Sequence, residues 1–202
     1  MLFDVGERQP GRHPDDFYAS PAPVVDAILP FLPFAGTIAE PSCGDGAILE
    51  RVALARPRGR LLGFELDPGR AEQARVRVPS AEVRTGDFLH WSERNAIDDL
   101  GLILGNPPFT FAQEFVEACI RLAAPTRATV AMLLRLAFAE SEERADFHEE
   151  HPADVYPLAN RPSFTGDGTD SAAYAWFVFG PGRGNRWTPL RSKPSQRSAR
   201  AR

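Results

Sequence analysis

Short apolar runs separated by segments with helical spacing constrain this chain more than any other feature. Residues 37–40, 61–65 and 100–104 are compact strand candidates, the first two with apolar centres closed by Glu40 and Glu65, and the run Leu100-Gly101-Leu102-Ile103-Leu104 has no polar side chain at all. Such a run suits a strand covered on both faces, where alternation is suppressed. Residues 81–85 form a weaker strand candidate, 128–136 a buried one, and 154–158 and 172–179 two late ones. Between them lie helical patterns at 46–55, at 68–78 behind an Asp67 cap, and at 111–123. A further helix is expected from Ser20-Pro21, with Val24, Val25, Ile28 and Leu29 as its apolar stripe and Pro30 and Pro33 ending it. Strands alternating with helices predict an α/β fold, a largely parallel sheet with helices on both sides.

A chain of 202 residues with 43% hydrophobic and 25% charged residues has room for one such domain and a full core. The expected layout is an irregular lead-in over residues 1–16, a domain over 17–180 and a tail over 181–202. That tail carries seven basic residues, among them Arg183, Arg186, Arg191 and Lys193, and no acid. The part before it holds 16 basic against 27 acidic residues, so the tail reads as a solvated, disordered terminus able to grip phosphates. Cys43 and Cys119 form no C-x-x-C pair, and His148 and His151 stand at i, i+3 without supporting ligands. No disulfide framework and no metal centre are expected. No apolar run reaches membrane-spanning length and the start is polar, so a cytoplasmic protein with no membrane partner is expected.

In a parallel sheet, ligands gather beyond the carboxyl ends of the strands. Four segments fall there: Glu40-Pro41-Ser42-Cys43-Gly44-Asp45-Gly46, Glu65-Leu66-Asp67, Gly86-Asp87-Phe88 and Gly105-Asn106-Pro107-Pro108-Phe109. Gly44 and Gly46 permit a tight turn and close ligand approach, though the three-glycine dinucleotide spacing is not met. Glu65 follows Glu40 near the offset of about 20 residues at which an acid meets ribose hydroxyls, and a carboxylate accepts both bonds of a vicinal diol. Asp87 is placed to accept from an adenine amine, or to cap a turn, and Phe88 to cover the ring. In Asn106-Pro107-Pro108-Phe109 the prolines stiffen the backbone and leave the Pro107 carbonyl as an acceptor beside an aromatic ring. That combination suits a planar group carrying an amine.

Together these segments resemble the S-adenosylmethionine-dependent amino methyltransferases of the Asn-Pro-Pro-Phe/Tyr type, which include adenine-specific DNA methyltransferases. Tyr18-Ala19-Ser20-Pro21 looks like that family's aromatic-x-Thr-Pro cofactor motif, with Ser20 for Thr. Glu40 to Gly46 resembles its Asp/Glu-Pro-x-x-Gly-x-Gly loop, Phe64-Glu65 its ribose-binding strand end, and Gly86-Asp87-Phe88 its adenine-contacting turn. Arg161-Pro162-Ser163-Phe164 is similar to a late motif whose aromatic helps hold the target base. The resemblance implies a Rossmann-like class I methyltransferase fold with a mostly parallel seven-stranded sheet, and S-adenosylmethionine as cofactor. Cofactor residues would be Tyr18, Ser20, Pro21, Glu40, Pro41, Cys43, Gly44, Gly46, Glu65, Leu66, Asp87, Phe88 and Asn106. Asn106, Pro107, Pro108 and Phe109 would carry the chemistry, with Phe109 and Phe164 stacking on the base.

The resemblance implies methyl transfer to the exocyclic amine of adenine, in DNA before RNA. A protein glutamine amide ranks third, and a nucleic-acid-binding module with an inactive fold is the non-enzyme alternative. A recognition domain of the kind that follows the catalytic half in many such DNA enzymes is not expected here, so strict sequence specificity is not expected, and a recognition partner protein is a candidate for that role.

Overall fold

The structure, a computed structural model, describes residues 19–56, 58–162, 172–184 and 186–192. Its centre is a seven-stranded sheet in the order β3-β2-β1-β4-β5-β7-β6. The strands are β1 (Thr37–Glu40), β2 (Leu61–Glu65), β3 (Ala81–Thr85), β4 (Leu100–Gly105), β5 (Thr129–Arg135), β6 (Ala153–Pro157) and β7 (Tyr174–Phe179). β1 through β5 pair in parallel, whereas β7 runs antiparallel to both β5 and β6. β6 therefore points the same way as β1 to β5, and all their carboxyl ends share one rim.

Period-two alternation along the inner strands divides the core into two layers. Tyr174, Trp176 and Val178 of β7 face the same side as Ala131 and Leu133 of β5, against α1 (Ala22–Ile28), α2 (Ala47–Ala55) and α3 (Pro68–Arg77). Ala175, Phe177 and Phe179, with Val130, Met132 and Leu134, face the other, against α4 (Phe88–Ser92), α5 (Ala112–Ala123) and α6 (Ala145–Glu150). Trp176 is fully buried, and its indole N–H donates to the Val24 carbonyl at 3.2 Å, which satisfies the one polar atom that burial would otherwise strand. Among the described residues no helix is long and apolar enough to cross a membrane.

Three features depart from the sequence reading. Ser20 does not cap α1; Pro21 occupies that position without a side-chain bond, because the Ser20 hydroxyl faces the sheet rim instead. The helices α4 and α6 were not anticipated, since five and six residues are too few to display a helical period.

The third departure concerns the basic tail. Residues 186–192 lie along β6, bridged in parallel at Val155 with Trp187 and at Leu158 with Leu190. The Val155 N–H donates to the Arg186 carbonyl at 2.8 Å, and Leu190 N–H to the Pro157 carbonyl at 2.7 Å. Asp154, 4% exposed, holds the turn that leads in: it accepts from the Arg183 guanidinium at 3.1 Å and from the Gly184 and Arg186 N–H groups. Folding of this stretch follows from a buried carboxylate that needs donors and a sheet edge that needs cover. The expected disordered tail thus starts no earlier than residue 193, and residues 193–202 lie outside the described residues, as does the lead-in 1–16.

Candidate functional site

One cleft opens at the carboxyl rim, where the strand order reverses between β1 and β4, the place at which open α/β sheets take ligands. Its wall includes Ser20, Glu40, Pro41, Cys43, Glu65, Leu66, Phe88 and Asn106 through Phe109. Residues from five separate segments of the sequence are therefore brought together by the topology.

The turn after β1 is shaped by its glycines. Gly44 and Gly46 adopt φ of 53° and 86°, in the region that favours glycine. A Cβ on Gly46 would stand 3.1 Å from the Ala74 Cα, so its lack of a side chain lets α2 start directly against α3. Neither glycine lines the cleft; they hold the turn that does. The Gly44 N–H donates to Glu65 Oε2 at 2.9 Å, and the Cys43 N–H donates to the Phe64 carbonyl at 2.8 Å. The Cys43 thiol is buried, and burial together with Glu40 and Glu65 pushes its pKa up, so it is an apolar wall rather than a nucleophile.

Three acids approach the cleft, and their environments differ. Asp45 pairs with Arg77 at 2.8 Å. Glu65, 7% exposed, accepts from the Gly44 and Asp67 N–H groups, one on each oxygen, and pairs with Arg70 at 3.4 Å. Glu40, 3% exposed, has no cation beside it among the described residues, and its buried Oε2 has no hydrogen-bond partner. Desolvation holds the Glu40 pKa well above the usual carboxylate range, and the charges of Glu65 and Asp45 add to the effect. The Leu49 N–H at the start of α2 works in the opposite sense. A buried acid with an idle oxygen facing a cleft is arranged to receive a cation or a donor.

Asn106 lies at the end of β4. Its Nδ2 donates to the Ser20 hydroxyl at 3.2 Å, and its backbone carbonyl accepts from Ser42 at 3.3 Å. The first bond fixes which way the amide faces. Pro107 is buried and Pro108 half-buried, followed by a single 3-10 turn at Phe109–Phe111 that leads into α5. The Phe109 ring lies 5.6 Å from Tyr174, and the Arg135 guanidinium sits 4.8 Å from its centroid. Both neighbours are at the same rim, Arg135 at the end of β5 and Tyr174 at the start of β7.

Three anticipated residues are placed differently. Asp87 caps α4, its Oδ1 accepting from Leu89 at 2.8 Å and His90 at 3.4 Å, and it does not line the cleft, though Gly86 and Phe88 beside it do. Phe88 packs against Phe64, Trp91 and Phe115 in the core, so it forms a wall of the cleft rather than a cover over it. Pro21 begins α1 away from the wall. Tyr18 and Phe164 lie outside the described residues. The sequence reading missed Ile48, Arg70, Phe111 and Phe115 as wall residues. Arg70 stands one helical turn beyond the Asp67 cap and could have been found there, whereas the two phenylalanines read only as the apolar stripe of α5.

No family model matches this chain. Over 72 residues it is 36% identical to the type II methyltransferase M.CvrRI of Paramecium bursaria Chlorella virus XZ-6E; that stretch is 36% of this chain and 18% of the relative's length. Among solved structures, a Listeria monocytogenes protein provisionally described as a class I S-adenosylmethionine-dependent methyltransferase superposes with a TM-score of 0.65. It is 12% identical, and the match covers 95% of this chain and 71% of the other. The 23S rRNA methyltransferase ErmE superposes with a TM-score of 0.57 at 19% identity, covering 89% and 71%. With 95% of this chain superposed on the first of these neighbours, the seven-stranded, mostly parallel sheet with its helices has the Rossmann-like fold of class I methyltransferases.

Proposed function

We propose that this chain is an S-adenosylmethionine-dependent methyltransferase that acts on the exocyclic amine of adenine in DNA. The observation that carries the reading is the meeting, in one cleft, of a buried acid with an idle oxygen and an Asn-Pro-Pro-Phe run on the adjacent strand end. The residues fit the cofactor: a cationic amino-acid sulfonium answers the charge of Glu40, and Glu65 Oε2, holding the Gly44 N–H, has a second lone pair for a ribose hydroxyl, while Oε1 is shared by the Asp67 N–H and Arg70. Ser20, Pro41, Cys43 and Leu66 complete the wall. Bound there, S-adenosylmethionine supplies a methyl group activated on sulfur.

The chain's own part lies in holding the amine. An adenine amine shares its lone pair with the ring and is a weak nucleophile. Accepting its protons on the Asn106 side-chain oxygen and the Pro107 carbonyl favours the pyramidal form in which the pair is localised, an interaction that grows toward the transition state. Ser20, by accepting from Nδ2, turns the amide oxygen away from itself and so orients that acceptor. Phe109 offers its ring to the base, which must leave a duplex stack to reach it. No separate base is needed before attack, because the methylated ammonium loses its proton readily.

The type II methyltransferase relative supports methyl transfer, and the fold neighbour named for 23S rRNA favours structured RNA as the second reading. Incubation with labelled S-adenosylmethionine and DNA, structured RNA or protein, followed by identification of the methylated residue, separates these substrates. Asn106→Ala should lower single-turnover methyl transfer at least about 100-fold, the scale for one preorganised polar partner, while cofactor affinity changes little. An Asn106→Ala variant as fast as the parent would refute the mechanism. Cofactor binding without transfer to any substrate would leave the inactive binding module.

A further inference from the structure

Residues 186–192 do more than cover the sheet edge. Beyond Arg186 their burial alternates: Trp187, Pro189 and Arg191 are exposed, while Leu190 and Ser192 are buried and Thr188 is half-buried. In an extended segment this puts Trp187, Pro189 and Arg191 on one outward face, with Trp187 and Arg191 about 13 Å apart. Trp187 is 60% exposed. Covering the edge explains Leu190 and the backbone bonds to Val155, Pro157 and Ala159, but it does not explain a large aromatic turned outward. Arg186 and Arg191 are both exposed, and neither pairs with a carboxylate among the described residues. Arg183 differs, being taken up by Asp154.

Direction adds a second observation. The segment pairs in parallel with β6, so its Ser192 end lies at the rim that carries the cleft. From β4, which Asn106 directly follows, the sheet steps through β5, β7 and β6 to this segment, a span of about 19 Å at the usual strand spacing. Arg135 and Tyr174 lie along that path beside Phe109.

We propose that Trp187, with Arg191, forms a binding surface for an unpaired strand of nucleic acid, the stretch neighbouring the base presented to Phe109. Trp187 stacks on a base and Arg191 meets a phosphate; Lys193 continues the basic run in sequence. The inference rests on the reading of the cleft as a nucleic-acid methyltransferase site. An aromatic platform selects unstacked bases, which is why the occupant is a single strand rather than a closed duplex.

The test uses the full chain and a fluorescein-labelled adenine-containing oligonucleotide, single-stranded or annealed to its complement, titrated at several salt concentrations. Trp187→Ala should weaken single-strand binding at least about fivefold, the lower bound for one stacked base, and leave the salt dependence unchanged. Arg191→Gln should flatten the slope of log affinity against log salt by about 0.7, the value for one phosphate on a single strand. Trp187 is the exposed one of three tryptophans, Trp91 and Trp176 being buried, so the parent's indole emission should be quenched by the oligonucleotide and a Trp187→Phe variant's should not. Thermal midpoints and S-adenosylmethionine affinity should stay at parental values in every variant. Parental single-strand affinity and slope in both variants would overturn the proposal, as would equal losses on the closed duplex. Strand binding that depends on Trp187, in a chain that transfers no methyl group, would uphold the surface and remove the reading it rests on; absence of any binding by the parent would overturn both.

Discussion

Replacing Glu40 by glutamine tests the electrostatics of the cleft, because it removes one charge while keeping shape and one acceptor. In the free protein Glu40 is buried among acids, its nearest charged company being Glu65 and Asp45, and its pKa is raised accordingly. A cationic ligand reverses that balance by favouring the carboxylate. Cofactor affinity should therefore rise with pH up to the raised pKa of the free protein and then level, with a limiting slope of about one proton per ligand. On the acid side of that value, binding should release a proton, visible in calorimetry as a dependence of the heat on the buffer's ionisation enthalpy. Loss of a charge-assisted contact of about 1.5–3 kcal/mol would make Glu40→Gln bind roughly 10- to 150-fold more weakly at neutral pH.

The same substitution has the opposite effect on the ligand-free fold. Since the folded carboxyl has the higher pKa, the native state holds more protons than the unfolded chain between the unfolded value, about 4.3, and the folded one. Glu40's contribution to stability is thus present below about pH 4.3 and is lost as pH rises toward the folded value. Glu40→Gln should flatten that decline and match or exceed the parent in urea at neutral pH. Equal cofactor affinity in the two proteins, or a parental pH slope that the glutamine variant retains, would refute the assignment of Glu40 to the cation.

Glu65→Ala removes the acceptor of both Gly44 and Asp67 N–H groups, so cofactor affinity should fall by about 1.5–3 kcal/mol in calorimetry, and unchanged affinity would detach Glu65 from the site. Phe109→Ala should weaken target binding by about 1–3 kcal/mol in oligonucleotide titrations, with S-adenosylmethionine affinity near parental. Gly46→Ala forces a side chain into φ 86° and against the Ala74 backbone, and should cost about 1–3 kcal/mol in denaturant midpoints.

Which parts of this molecule could be read from the sequence follows from what their residues have to do. β1 and β2 have the bounds expected of them because a strand covered on both faces is apolar along its length and polar residues mark its ends, whereas β3, at the sheet edge with only Val83 buried, shows the alternation of a half-covered strand. Glu40, Glu65 and Asn106 were found by the same reasoning, as polar residues directly after such runs. Ser20 was read by its local neighbours, as a helix cap, but its partner Asn106 is 86 positions away. Asp87 reads from the sequence either as an adenine acceptor or as a turn cap, because α4 is too short to show a helical period, and its carboxylate caps that helix. In residues 186–192 the arginines and prolines conceal an alternation whose only buried apolar member is Leu190, and the pairing with β6 is made by backbone groups that leave no mark in side-chain composition.

The position of β7 between β5 and β6 determines the order in which this protein can assemble. Strands β1 to β4 can pair as soon as they leave the ribosome, but β6, though synthesised before β7, has no place in the sheet until β7 arrives to join it to β5. Until then β5, with Val130 to Leu134 all apolar and all buried in the finished fold, stands as an unpaired edge. An edge of that composition is the kind at which nascent chains pair with one another. Chains that stop before Tyr174 should accumulate as aggregates even though every wall segment from β1 to Phe115 has been made, and yield of intact protein should depend on how quickly the last strand is delivered.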